Sequence, residues 1–309
     1  MRLLTLAFTT LLLSLAACSR PLPDIRIMDT QVFPESLSSD AAGNVYVGST
    51  KGIVYRAQAG TDQARPWIQH DAENGILAIL GVLADDASAT LWLCSAPNFL
   101  GPERSEGTSA LKAFDLRSGA FKGSWDFPPP ASVCNDITIA PDGSAYASDT
   151  SNGRIFKLAP RGTALELFGS DPALVGIDGL AFSGDGVLYA NNVRTQEVFR
   201  VESTADGRMG ALTSLQLSHT LGGPDGMRLI ADDHFLQAEG TLGRVGILSI
   251  EGNVATLDIL RDDFVSTPAV TLVGDTAYVL ESHIGYVLDP ALQGQEPPPF
   301  MIYAVPLEK

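Results

Sequence analysis

Read for the alternation of apolar and polar positions, the chain beyond residue 18 predicts short strands rather than amphipathic helices. One unit recurs: a short strand, a turn carrying Gly or Asp, a second strand, and then weaker strands. The clearest copies read CNDITIAPDGSAYASDTSNGRIFKLAP from Cys134 and IDGLAFSGDGVLYANNVRTQEVFRVE from Ile177. An earlier one reads PESLSSDAAGNVYVGSTKGIVYRAQ from Pro34. Poorer copies are LGVLADDASATLWLCS from Leu80, PDGMRLIADDHFLQAEGTLGRVGILSI from Pro224 and PAVTLVGDTAYVLESHIG from Pro268. Apolar residues alternate along the first strand, as Ile137 with Ile139 and Leu180 with Phe182, which suits a sheet packed between neighbours. Pro141-Asp142-Gly143 supplies the positive φ that a reversal needs. Tyr46, Trp92, Tyr146, Tyr189, Phe235 and Tyr278 recur at one position of the second strand, where large side chains would fill the space between sheets.

Six copies spaced by roughly 45 residues predict an all-β, six-bladed β-propeller with a central channel. A solenoid would tolerate these lengths, but it usually carries more regular spacing and evident end caps. No copy has the Trp-Asp strand end of the WD type. The segment IRIMDTQVF from Ile25 is expected to form the outer strand of the last blade by pairing near residues 301–305, leaving no open edge.

Composition changes the picture at the N-terminus. Arg2 and the apolar run over residues 3–15 form a segment too short to anchor as a span, so residues 1–18 read as a processing signal and residues 19–309 as a single propeller domain. The run ends in Leu15-Ala16-Ala17-Cys18, which resembles a bacterial lipobox. That resemblance implies lipidation of Cys18, with Ser19 directing the product to the periplasmic face of the outer membrane. An ordinary cleaved signal would give a periplasmic or secreted protein. Acidic residues outnumber basic ones 36 to 20, a formal charge of −16. With no Lys/Arg cluster, that balance argues against a nucleic-acid partner and leaves a lipid on Cys18 as the expected membrane contact. Cys94 and Cys134 fall at one face of adjacent blades and are expected to lie close, as a disulfide or as two buried thiols. With no further Cys or His nearby they do not make a zinc site.

Aligning the copies puts one position just before each innermost strand: Glu35, Leu80, Asn135, Asp178, Asp225 and Pro268. Innermost strands run the same way along the channel, so these positions converge at one of its mouths. Asp-Gly pairs are common in turns, but Asp178-Gly179 and Asp225-Gly226 stand before the first strand, whereas Asp142-Gly143 and Asp185-Gly186 stand after it. Three carboxylates ~5 Å apart would repel by roughly 3 kcal/mol per pair at an effective dielectric of 20. Protons or a cation must answer that. Oxygen donors alone favour one hard divalent ion, Ca²⁺ foremost, with Mg²⁺, Mn²⁺ and Zn²⁺ as alternatives.

Glu before blade one, Asn135-Asp136 before blade three and the PDGM stretch at 224–227 together resemble the regucalcin/gluconolactonase/luciferin-regenerating-enzyme family, over nearly the whole mature chain. The resemblance implies metal ligation by Glu35, Asp178 and Asp225, with Asn135 contacting water or substrate beside the ion. It implies hydrolysis of a cyclic ester such as a lactone or sugar derivative, with Asp225 and Asn135 as catalytic residues and Asp225 also activating water. One departure stands out: the family has Asn where this chain has Asp178. The position where paraoxonase-like lactonases carry His is Leu80, so a His dyad of that type is not expected.

Second-strand ends should return to the same face, which makes Ser95, Asp149, Asn192, Glu239 and His283 expected to ring the site. Asn192, Glu239 and His283 are, with Asn135, the candidate substrate contacts. Asp136 is expected either to brace the ligands or merely to form a turn. The segments 97–109 and 203–218 are expected to be substrate-selecting loops. Two competing functions remain: a non-catalytic ligand- or protein-binding lipoprotein with a structural calcium, and a metal-free strictosidine-synthase-like enzyme, against which the carboxylates speak.

Overall fold

Short alternating strands joined by tight turns pair antiparallel with their neighbours in sequence, and the fold is built from that rule. The computed structural model describes residues 21–98 and 106–307. Four-stranded blades follow one another along them. Blade one is Pro34–Ser39, Val45–Ser49, Ile53–Ala57 and Gln63–Gln69. Blade two is Ala78–Asp85, Thr90–Ala96, Ala110–Asp115 and Phe121–Asp126. Blade three is Cys134–Ile139, Ala145–Asp149, Arg154–Leu158 and Glu166–Ser170. Blade four is Ile177–Phe182, Leu188–Asn192, Glu197–Ser203 and Met209–Ser214. Blade five is Pro224–Ala231, His234–Glu239, Arg244–Glu251 and Val254–Arg261, with Gln216–Leu217 added outside. Blade six is Val270–Val273, Thr276–Leu280, Met301–Pro306 and, from the other end of the chain, Ile25–Ile27.

The first strand of each blade lies against the first strands of both neighbouring blades, and the cycle closes from blade six to blade one. Closure occurs where the sequence places it. Ile25 pairs with Ile302 and Arg26 with Met301. The same short strand also pairs parallel with the outer strand of blade one, Arg26 opposite Gln63, so it joins two blades at once. The innermost strands of all the blades line a central cavity of about 510 Å³, reached by Ser38, Leu83, Thr138, Phe182, Arg228 and Thr271 among others.

The apolar core is divided among the blade interfaces. One cluster lies between blades one and two around Tyr46, Ile79 and Phe114; the next, between two and three, is built on Leu111, Ile137 and Phe156. Tyr146 and Phe182 fill the interface of three and four, and Tyr189 and Phe235 that of four and five. Leu236 with Val279, and Tyr278 with Tyr55, complete the ring. The recurring second-strand aromatics therefore pack between blades, with Trp92 half-buried beside Trp125.

Cys94 and Cys134 form a disulfide, with Cα atoms 5.1 Å apart, and link the second strand of blade two to the innermost strand of blade three. The segment 203–218 is no substrate loop. Half of it is the outer strand Met209–Ser214 and the added strand Gln216–Leu217, on the rim and far from the axis. Cys18 lies outside the described residues, as do positions 99–105 of the other expected loop.

Candidate metal centre

Pro268 lies ahead of its strand, which begins at Val270, but the other five positions aligned in the sequence share a backbone irregularity. They are not just ahead of the innermost strands but inside their first residues, at β-bulges. The pairing register breaks between Pro34 and Ser36, Ile79 and Gly81, Cys134 and Ile137, Ile177 and Leu180, and Pro224 and Met227. Glu35, Leu80, Asn135, Asp178 and Asp225 are the extra residues. A bulge releases a side chain from the strict alternation of the strand and re-aims it, here towards the channel mouth.

Glycine lets the bulges crowd together. A Cβ on Gly81 would lie 2.1 Å from the carbonyl oxygen of Asn135, and one on Gly179 would lie 2.5 Å from that of Asp225. The Gly of Asp178-Gly179 thus serves close approach of the next blade rather than a turn. Two second-strand side chains brace the result. Ser148 accepts from Asp136 N at 2.9 Å and donates to Asp178 O at 3.0 Å. Asn191 does the same one blade on, accepting from Gly179 N at 2.8 Å and donating to Asp225 O at 2.5 Å. Sequence reasoning missed both; the available signal was a polar residue in each otherwise apolar strand, AYASD and LYANN.

The carboxylates meet. Asp225 lies close enough to Asp178 for each to act on the other's proton affinity, and Asp225 also feels Glu35. Asn135 Nδ2 donates to Asp178 Oδ2 at 2.9 Å and to Thr150 Oγ1 at 3.0 Å. Asp178 is buried, while Glu35 and Asp225 keep part of their surface open at the mouth. Burial, with Asp178 adding repulsion, pushes Glu35 up to about 8. Burial and then Asp136 raise Asp178 to about 7, against the pull of its contact with Asp225, of Asn135 and of Arg228. Asp225 stands well above the usual carboxylate range, through burial first and then Asp178 and Glu35. All donors are oxygens, contributed by blades one, three, four and five, so their chemistry fits a hard divalent cation. Among the described residues, however, no three His, Cys, Asp or Glu side chains are grouped closely enough to form a finished cation shell.

The strand ends expected to contact substrate are used otherwise. Asn192 is buried and donates to Ala173 O and Val175 O, while its oxygen accepts from Arg194 N and Thr195 N. Glu239 is buried, accepts from Gly222 N at 2.5 Å and pairs with Arg244. Ser95 accepts from Leu77 N, and Asp149 accepts from Val133 N while pairing with Arg154. Each ties down the loop entering its own blade, so none offers a free polar atom to a substrate. In blade six that duty falls to Glu281, which accepts from Val265 N at 2.9 Å. His283 lies two residues past it at φ 51°, buried against Tyr286 and Phe300, with Nε2 3.5 Å from Glu281 Oε2 and no hydrogen bond. Asp136 braces the site and is not a turn former.

No protein-family model matches the sequence, and no curated protein matches it. Solved structures do. A protein assigned as a putative gluconolactonase superposes with a TM-score of 0.65 at 18% identity, covering 93% of this chain and 94% of the other. A luciferin-regenerating enzyme gives 0.64 at 14% identity over 91% and 97%. The gluconolactonase of Xanthomonas campestris gives 0.63 at 15% identity over 90% and 88%. The fold is that of the gluconolactonase-type propellers. It is shared with other activities too: a virginiamycin B lyase of Staphylococcus aureus gives 0.58 at 12% identity over 84% and 95%. The likeness therefore establishes the architecture and leaves the reaction to the site.

Proposed function

We propose that the protein is a divalent-cation-dependent hydrolase of cyclic esters, acting at the channel mouth where Glu35, Asp178 and Asp225 converge. The observation that carries this reading is the contact of Asp178 with Asp225 at the bulges of neighbouring blades, with Glu35 near enough to feel Asp178 and to raise the proton affinity of Asp225. A hard cation bound there would polarise the lactone carbonyl and steady the negative charge that develops on its oxygen. Glu35, Asp178 and Asp225 would supply the ligands. Asp225, partly open at the mouth, also takes a proton from the attacking water. Asn135, held by Thr150, orients Asp178 and the incoming carbonyl. The gluconolactonases among the similar structures support a small lactone or sugar derivative as substrate.

Ca²⁺ is the first choice of ion, followed by Mg²⁺, Mn²⁺ and Zn²⁺. A lactone panel run on metal-stripped protein, with each ion restored in turn, tests the reading. Asp225→Ala should abolish turnover. Tight uptake of an ion with no hydrolysis of any lactone would leave the binding-lipoprotein alternative standing instead. Export belongs to the same proposal. The Cys94–Cys134 bond supports an oxidising compartment, and the mass of the mature N-terminus would reveal whether Cys18 carries lipid.

A further inference from the structure

Beside the carboxylates lies a charge of opposite sign. Arg228, on the innermost strand of blade five, reaches Asp136 in blade three, with Nη1 2.8 Å from Oδ2 and Nη2 2.9 Å from Oδ1. Nη1 also donates to the carbonyl of Met227 at 2.8 Å. Asp136 Oδ2 accepts, in addition, the backbone N–H of Leu180 at 2.9 Å. Leu180 is where blade four regains register after the Asp178-Gly179 bulge. One buried ion pair thus ties blades three, four and five together at the level of the site. The fork of a guanidinium matches both oxygens of a carboxylate, and no other cationic side chain holds a partner in that way. Arg228 Nε has no partner among the described residues, so the group is placed for Asp136 rather than for its own satisfaction.

We propose that Arg228 is a positioning residue for the cation site: by holding Asp136, it fixes the bulge that aims Asp178 at Asp225. The inference rests on the hydrolase reading for its cation and on the bulge geometry for its positioning. Two consequences of removing Arg228 oppose each other. Losing a positive charge beside carboxylates would strengthen the attraction for a cation. Losing the fork would leave Asp136 buried and unpaired, and such a group turns towards water, weakening its hold on the Leu180 N–H. The second effect dominates, because the charge of Arg228 is already answered by Asp136. Groups that orient metal ligands typically account for 10–100-fold in affinity, so an effect of about that size is expected.

The test uses the full chain, stripped of metal, as wild type, Arg228→Gln and Arg228→Lys. Ca²⁺ is titrated by calorimetry, and amide exchange is followed at Leu180, with Val82 in blade two as the control for general loosening. Arg228→Gln should weaken Ca²⁺ binding about 10–100-fold and speed exchange at Leu180 but not at Val82. Arg228→Lys keeps the charge without the fork and should fall between wild type and Gln; if the Gln variant does not fold, Lys decides alone. Unchanged or tighter Ca²⁺ binding, or exchange that rises equally at Leu180 and Val82, overturns the proposal. A wild type that takes up no Ca²⁺ sinks the cation reading itself, and exchange at Leu180 then decides the role of Arg228 independently.

Discussion

Glu35, Asp178 and Asp225 are acids that the fold makes reluctant to ionise, and that reluctance has a measurable sign. Their folded-state proton affinities lie above the ordinary values of 4.5 and 3.8, at about 8 for Glu35 and about 7 for Asp178. Their contribution to stability is therefore complete below pH ~4 and is lost as pH rises through 7 and 8. Metal-free protein should melt at progressively lower temperature between pH 5 and 8, and millimolar Ca²⁺ should reverse the trend by binding the folded state. A melting temperature flat across that range would contradict the burial and mutual repulsion described. Asp178→Asn removes one of the competing charges. At pH 8 it should raise the melting temperature of the metal-free protein by a few degrees while weakening Ca²⁺ binding, both readable in one calcium titration followed by scanning calorimetry.

At the scale of the strand, the bulge is the device that turns a repeating blade into a site. Gly179→Ala tests it without touching a ligand. The added methyl would meet Asp225 O at 2.5 Å and Asn191 Nδ2 at 2.8 Å, so blade five must retreat. Lactone turnover should fall at least about 10-fold, in keeping with the cost of displacing catalytic groups by a fraction of an ångström, while far-ultraviolet circular dichroism stays that of the wild type. The alternation of Ile137 with Ile139 and the recurring Tyr46, Tyr146 and Tyr189 are local signals, and they made blades, interfaces and the register of Glu35, Asp178 and Asp225 legible in the sequence. The roles of Ser148 and Asn191 were not legible, because each acts on the carbonyl of the following blade, a partner 30 or more residues away. Asn192 and Glu239 were read onto the right face but given the wrong direction. Once a bulge shifts the register, alternation no longer says which way the paired strand end points. His283 was placed by counting through a strand end that stops at Leu280.

Across the whole molecule, stability comes from a ring of interfaces rather than one centre, and the Cys94–Cys134 bond staples the interface of blades two and three across a separation of 40 residues. Replacing both cysteines by serine should lower the unfolding free energy by about 2–4 kcal/mol, measured by denaturant titration, with the lactone profile unchanged. Removing residues 21–27 attacks a different joint, since it strips blade six of its outer strand and unties it from blade one. That truncation should broaden the thermal transition and expose an edge prone to self-association, visible by light scattering. The placement of that strand has a geometric outcome of its own. Because Ile25–Ile27 pairs on the outer edge of blade six and beside the outer strand of blade one, the first strand of the ring lies on its circumference, remote from the acidic opening at the axis.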